Sequence, residues 1–260
     1  VARVSPAWGP RGLLAAKRWI VRPRRVPEPR LRLFCIAHAG GGAAAFTPWA
    51  KRLPFDVELC AIRFPGRENR IDEPLFEDLQ SLVGELERAV TPLTDRPFAI
   101  LGHCSGSVVG LELARRLRES GRDGLTALIV SSIPGPDRRT SEAVHLLPRD
   151  EFFARVARYG GIDATVLDSP ELMEMFEATL RADFRMVEEA PHVPARPLDV
   201  PVVAVGGRDD PFVNREDLEA WRKETSADFT LHHLDAGHFV LDEAMEIVAD
   251  TLLRLTPEAM

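Results

Sequence analysis

Residues 98–117 read FAILGHCSGSVVGLELARRL, and no other stretch constrains the chain as tightly. A mostly apolar run ends in Gly-His-Cys-Ser-Gly, and an amphipathic helical pattern follows without a break. A strand pressed against a helix through one sharp turn leaves no room for side chains two positions before and two after the apex. This is the geometry of the G-x-S-x-G elbow. Gly102 and Gly106 meet the requirement with Cys104 at the apex. With Ser105 there, His103 and Ser107 would stand at the crowded positions, so the frame falls on Cys104. The same residues also suit a plain glycine turn with a small packed cysteine, and the rest of the chain has to decide.

The surroundings alternate short buried strands with amphipathic helices. Strands are expected at 18–22 (a short edge strand), 31–37, 57–62, 98–102, 125–131, 200–205 and 229–234. Helices are expected at 46–53, 76–90, 105–118, 214–223 and 239–255. This pattern predicts an α/β fold, a mostly parallel sheet with helices on both faces. The alternation stops between about 134 and 197, where two helical patterns (149–159 and 170–189) follow each other with no strand between. A helical insertion in such a framework reads as a lid over the strand ends, where ligands bind. The expected organisation is a basic, Pro-containing arm over 1–30 and one domain over 31–260 that carries the lid.

Composition narrows the classes. With 260 residues, 45% hydrophobic and 28% charged, the chain can bury a sizeable core. No apolar run approaches the roughly 18–20 residues of a membrane span, so no membrane association is expected. Cys35, Cys60 and Cys104 lack C-x-x-C spacing, which argues against a disulfide framework, a zinc site or any other metal site, and favours the cytoplasm. Cys35 and Cys60 sit in apolar strands and read as core. The net charge of −7 hides a basic start: nine Lys/Arg against one acid, Glu28, in residues 1–32. Such an arm is expected to be solvated and mobile. Its aromatic residues are confined to Trp8 and Trp19, so nucleic acid is not an expected partner.

Attack on an acyl carbon needs a nucleophile, a base, a group that orients the base, and donors for the developing oxyanion. In the α/β-hydrolase arrangement the chain order is nucleophile, acid, histidine. The acid falls after strand 200–205, in GGRDDP, where Asp210 is favoured over Asp209 because Pro211 stiffens its setting. An Asp-Pro pair alone would be only a turn. His238 follows the last strand in DAGHF, the one histidine of seven at a strand end in the right place in the order. His38 and His103 flank glycine turns, His232 and His233 lie within a strand, and His145 and His192 fall in the insertion. The oxyanion donors should be the backbone N–H of Ser105 and that of Ala39 or Gly40 in the HAGGG turn. That turn has neither P-loop nor dinucleotide spacing. Together the four elements predict an α/β-hydrolase fold.

These residues resemble a known family, the type II thioesterases that accompany polyketide and non-ribosomal peptide synthases. AHAGGGAAAFTPWAKRLP with RFPGRENR is similar to the family's amino-terminal signature, and GHCSGSVVGLELARRL to its elbow, with cysteine in place of serine. RYGGID, LRADFRMVEEA, GGRDDPF and DAGHFVL resemble its lid, acid loop and histidine loop, and the likeness runs from about 31 to 255. The resemblance implies a two-helix lid over a tunnel for the phosphopantetheine arm of an acyl or peptidyl carrier protein, and no cofactor. It implies a catalytic triad of Cys104, Asp210 and His238, and an oxyanion hole from the backbone of Ala39 and Ser105. The implied activity is hydrolysis of stalled or wrongly primed acyl groups on carriers, by a monomer.

Cysteine at the elbow departs from the family. A histidine partner lowers a cysteine's pKa by several units, so a Cys–His pair is a competent nucleophile. Its acyl-enzyme is a thioester, more open to amines than an oxygen ester. Acyl transfer, aminolysis or cyclisation therefore stands beside hydrolysis, and a non-catalytic carrier-binding protein stands behind both. Leu172, Met173, Met175, Phe176, Leu180 and Phe184 supply apolar lid faces, and Arg181, Arg185 and the arm are candidates for docking an acidic carrier.

Overall fold

A computed structural model describes residues 17–139, 142–160, 169–191 and 193–255. Residues 1–16 of the expected arm, His192, and Gly161 to Asp163 of RYGGID lie outside the described residues.

Seven strands form one sheet in the order β1-β3-β2-β4-β5-β6-β7. They are β1 (Ile20–Val21), β2 (Leu31–Ile36), β3 (Val57–Ile62), β4 (Phe98–His103), β5 (Leu125–Ser131), β6 (Val202–Gly207) and β7 (Phe229–Leu234). Strands β2 to β7 pair in parallel, and β1 runs antiparallel along β3. Because helices cover both faces, β2, β3, β4 and β6 are buried at every position, which is why they read as continuous apolar runs. The chain has the α/β-hydrolase fold.

The helices are α1 (Leu79–Val90), α2 (Ser105–Glu119), α3 (Arg149–Ala157), α4 (Pro170–Glu188), α5 (Arg215–Glu219) and α6 (Leu241–Leu255). One face of the sheet packs on α1 and α2 through residues such as Phe34, Phe98, Leu86 and Leu113. The other packs on α6 and the Trp49 turn through Leu33, Leu101, Val205 and Val248. Helices α3 and α4 of the insertion share a smaller cluster around Phe152, Val156 and Leu180.

Several boundaries differ from the sequence expectation for local reasons. The helix expected at 46–53 is a 3-10 segment, Ala43–Lys51, which contains Pro48 and so lacks one donor. Helix α1 begins at Leu79, not 76, because the Asp78 carboxylate accepts from the Ser81 N–H at 2.7 Å and caps it. Strand β6 is shifted by two residues: Pro201 has no N–H for a central strand, and the pairing runs on through Gly206 and Gly207 opposite His233 and Leu234. The helix expected at 214–223 divides into α5 and a 3-10 segment, Ala220–Glu224.

The edge strand expected at 18–22 is β1, and the arginines that follow it in the basic arm lie against the edge of the sheet. Arg24 donates to the carbonyls of Leu53, Pro54 and Val57 at 3.3, 2.8 and 3.2 Å. Arg30 pairs with Asp56 at 2.6 Å, and Arg22 reaches the buried Glu58 at 3.5 Å. Glu58 also takes the Arg32 guanidinium from the neighbouring strand at 3.0 Å. Much of the basic charge at 18–32 therefore neutralises carboxylates of the chain itself.

Candidate active site

The sharp turn between β4 and α2 has Cys104 at its apex, with φ 51° and ψ −124°. A non-glycine residue holds such a conformation only where its surroundings over-determine it. They do so here. A Cβ on Gly102 would stand 2.3 Å from Cα of Ser107, and one on Gly106 would stand 2.3 Å from the carbonyl oxygen of Ile36. The Cys104 N–H donates to the Ser131 carbonyl at 2.7 Å, and the Ser107 N–H donates to the Cys104 carbonyl at 2.9 Å. The thiol is thus carried at the C-terminal end of β4. Ser105 is the first residue of α2, where an N–H has no partner within the helix.

The acid and histidine loops meet beside it. A Cβ on Gly207 would fall 2.1 Å from the carbonyl oxygens of Ala236 and Gly237, so the loops after β6 and β7 touch at the backbone. Asp210 and not Asp209 reaches the histidine. Its Oδ2 lies 2.7 Å from Nδ1 of His238, while Oδ1 accepts the Phe212 N–H at 2.9 Å; Asp209 is exposed. An ionised carboxylate only accepts, so Nδ1 carries the proton and Nε2 is left for Cys104, with which His238 also hydrogen-bonds. Burial pulls the imidazole down. The negative charge of Cys104 and the bond to Asp210 outweigh it and push His238 up to about 9. The arrangement favours a protonated imidazole beside the sulfur of Cys104.

Neighbouring groups stay uncharged. Burial, helped by the charge on His238, pulls His38 down to about 4, and burial lowers His103 well below its ordinary range. Burial, reinforced by the charge on Cys104, pushes the Tyr159 hydroxyl up to about 12. The Tyr159 ring lies 4.6 Å from that of His238. Burial also pushes the Cys35 and Cys60 thiols up, which leaves Cys104 as the half-exposed one of the three. Among the described residues no cluster of His, Cys, Asp or Glu is built to hold a metal ion.

Cys104, Ser105, Ala39, Tyr159, Asp183 and His238 line a cavity of about 440 Å³. A second space of about 40 Å³ adjoins it, walled by Val156, Phe176, Leu180, Phe184 and Phe239. Of the apolar lid residues, Phe176, Leu180 and Phe184 therefore face the site, whereas Leu172 and Met175 are exposed. The docking candidates Arg181 and Arg185 are engaged within the chain. Arg181 holds Glu177 and the carbonyls of His145 and Leu147, and Arg185 holds Glu77 and Glu189.

In the HAGGG turn, the Gly40 N–H is already given to the Asp183 carboxylate at 2.7 Å. Of the two amides the sequence left open, Ala39 is the one without that commitment. Asp183 in turn forms a two-pronged ion pair with Arg67, at 2.7 and 2.8 Å. Sequence patterning gives no sign of this contact.

The thioesterase-domain family matches residues 31–256. The chain belongs to the thioesterase family. It is 39% identical over 236 residues to the AMB antimetabolite synthetase AmbE of Pseudomonas aeruginosa, covering 89% of this chain but only 11% of that protein. It is 36% identical over 228 residues to the gramicidin S biosynthesis protein GrsT of Aneurinibacillus migulanus, covering 87% of this chain and 89% of that one. The solved structure of the type II thioesterase BorB, from the borrelidin biosynthetic cluster, superposes with a TM-score of 0.83 at 33% identity, covering 92% and 97% of the two chains. The chain is an enzyme of the type II thioesterase group. No helix of the described residues is long and apolar enough to cross a membrane.

Proposed function

We propose that this thioesterase hydrolyses acyl groups from the phosphopantetheine arms of acyl or peptidyl carrier proteins in polyketide or non-ribosomal peptide biosynthesis, in the cytoplasm. The observation that carries the reading is the line from Cys104 through His238 to Asp210, of which Cys104 and His238 line the larger cavity. The pathways named for GrsT and BorB support the substrate class.

The reading implies the following steps. The Cys104 thiolate adds to the thioester carbonyl, and the oxygen, now anionic, is held by the N–H groups of Ala39 and Ser105. Collapse of the tetrahedral species expels the pantetheine sulfur, which takes the proton from His238. The acyl group is then joined to Cys104 as a thioester. His238, now neutral and steered by Asp210, takes a proton from water as the water attacks that thioester. Collapse releases the carboxylic acid and restores the thiolate–imidazolium pair. An amine attacking in place of water would transfer the acyl group.

The test is to incubate the protein with acyl-carrier thioesters, with and without an amine acceptor, and follow both proteins by intact mass. Free acid and a transient acyl adduct are expected, abolished in Cys104→Ala and kept in Ser105→Ala. Amide as the main product would replace hydrolysis with transfer. Undiminished turnover in Cys104→Ala would remove Cys104 from the mechanism.

A further inference from the structure

We infer that Asp183 is a positioning residue: through Gly40 it holds the oxyanion turn in its working shape, and so makes catalysis conditional on the seating of helix α4. The inference rests on the reading of Ala39 as an oxyanion donor.

A donor stabilises a transition state only if it is aimed before the charge appears. The turn that carries Ala39 is unsuited to that on its own, because His38-Ala39-Gly40-Gly41-Gly42 has three successive glycines and Gly40 sits at φ 75°. Besides its internal bond from the Gly41 N–H to the His38 carbonyl, the turn is clamped from outside on two adjoining residues. Asp183 Oδ2 accepts the Gly40 N–H at 2.7 Å, and Arg67 Nη1 donates to the Gly41 carbonyl at 3.0 Å. The two clamps are themselves joined, because the same Arg67 holds both oxygens of Asp183. All of this is buried: Asp183 is 4% and Arg67 7% exposed.

The clamp comes from three separate parts of the chain. Ala39 follows β2, Arg67 follows β3, and Asp183 belongs to α4 of the insertion. Helix α4 is also pressed onto the turn, because a Cβ on Gly40 would meet Leu180 at 2.8 Å and Phe176 at 3.2 Å. One turn before Asp183, Thr179 donates to the Gly66 carbonyl at 3.3 Å. Lifting α4 therefore removes the carboxylate, the apolar weight on Gly40 and the partner of Arg67 together. The hole is assembled only with the lid helix in place. With the stretch of α4 around Asp183 lifted, Cys104 would lack its second oxyanion donor.

The test compares two variants with the unaltered enzyme. Asp183→Asn keeps the shape and an oxygen for the Gly40 amide. The double change Asp183→Leu with Arg67→Met removes the carboxylate without stranding a buried arginine. For the double variant kcat should fall by about 10²-fold, the scale of losing one oxyanion donor, with KM moved by less than about threefold. Asp183→Asn should lose less than about tenfold. The second readout is an acyl-pantetheine trifluoromethyl ketone, which forms a tetrahedral adduct with the thiolate, visible by fluorine NMR. Its affinity should fall in step with kcat, while a non-reacting thioether analogue binds all forms equally. A folded double variant with unchanged kcat and adduct affinity overturns the inference alone. So does a loss confined to KM or to thermal stability. Failure of the unaltered enzyme to form the adduct removes Cys104 as nucleophile, and the inference falls with it.

Discussion

At the scale of single residues, the chemistry turns on which atoms carry charge. Burial alone would leave His238 neutral at physiological pH, as it does His38 and His103. What separates His238 is Cys104 on one ring nitrogen and the Asp210 carboxylate on the other. The cation is therefore favoured, and the folded-state pKa of about 9 stands above the ordinary 6.5. The sign follows directly. Stability from the raised His238 is fully present below about pH 6.5 and is lost as pH rises through about 9. The expected outcome is a His238 ring titration near 9 by NMR, and an alkaline limb of kcat/KM in the same range. In Cys104→Ala one of the two partners that raise His238 is gone, and the titration should move down. An unmoved titration would mean that the sulfur does not hold the proton on His238.

At the scale of elements, the junction between β4 and α2 was readable because its requirement is steric and local. Gly102 and Gly106 set the frame on Cys104, and the acid and histidine loops in the right chain order decide for it over a plain glycine turn. The same reasoning yields a contrast between two glycines near the site. Gly106→Ala puts a carbon against the Ile36 carbonyl, a backbone atom that cannot yield. It should cost about 3 kcal/mol, and lower the thermal midpoint by roughly 6–12 °C. Gly237→Ala, next to His238, meets nothing within 4 Å and should stay within about 0.5 kcal/mol. Calorimetry on the two variants checks both, and equal losses would refute the steric account of the elbow. Where elements were misjudged, the deciding contact was distant or subtle. β6 was placed two residues early because its apolar run starts before the proline that delays pairing. The ion pair of Arg67 and Asp183 bridges 116 residues, and nothing in local composition marks either as a partner of the other. The pairing of the arginines at 22–30 was not legible for the same reason: Asp56, Glu58 and three carbonyls come to them only in the fold.

At the scale of the whole molecule, two demands on the insertion conflict. A chamber that receives a long flexible arm needs a wall that yields, whereas an oxyanion turn needs a support that does not. Helix α4 divides the two demands along its length. Its outer part carries Leu172 and Met175 exposed to solvent, with Met173 and Phe176 only partly buried. Its inner part buries Leu180, Ala182, Asp183 and Met186, of which Met186 reaches the main core and Asp183 the Arg67 clamp. Local opening free energy follows burial and contact density, so one helix should open in two stages. Hydrogen exchange resolved along α4 is expected to show fast exchange over residues 172–177 and at least about a hundredfold stronger protection over 180–187. In the Asp183→Leu, Arg67→Met variant the inner stretch should lose much of that protection, while the sheet strands keep theirs. Uniform protection along the helix would mean that α4 moves as one rigid piece, so that every opening of the lid also releases the oxyanion turn.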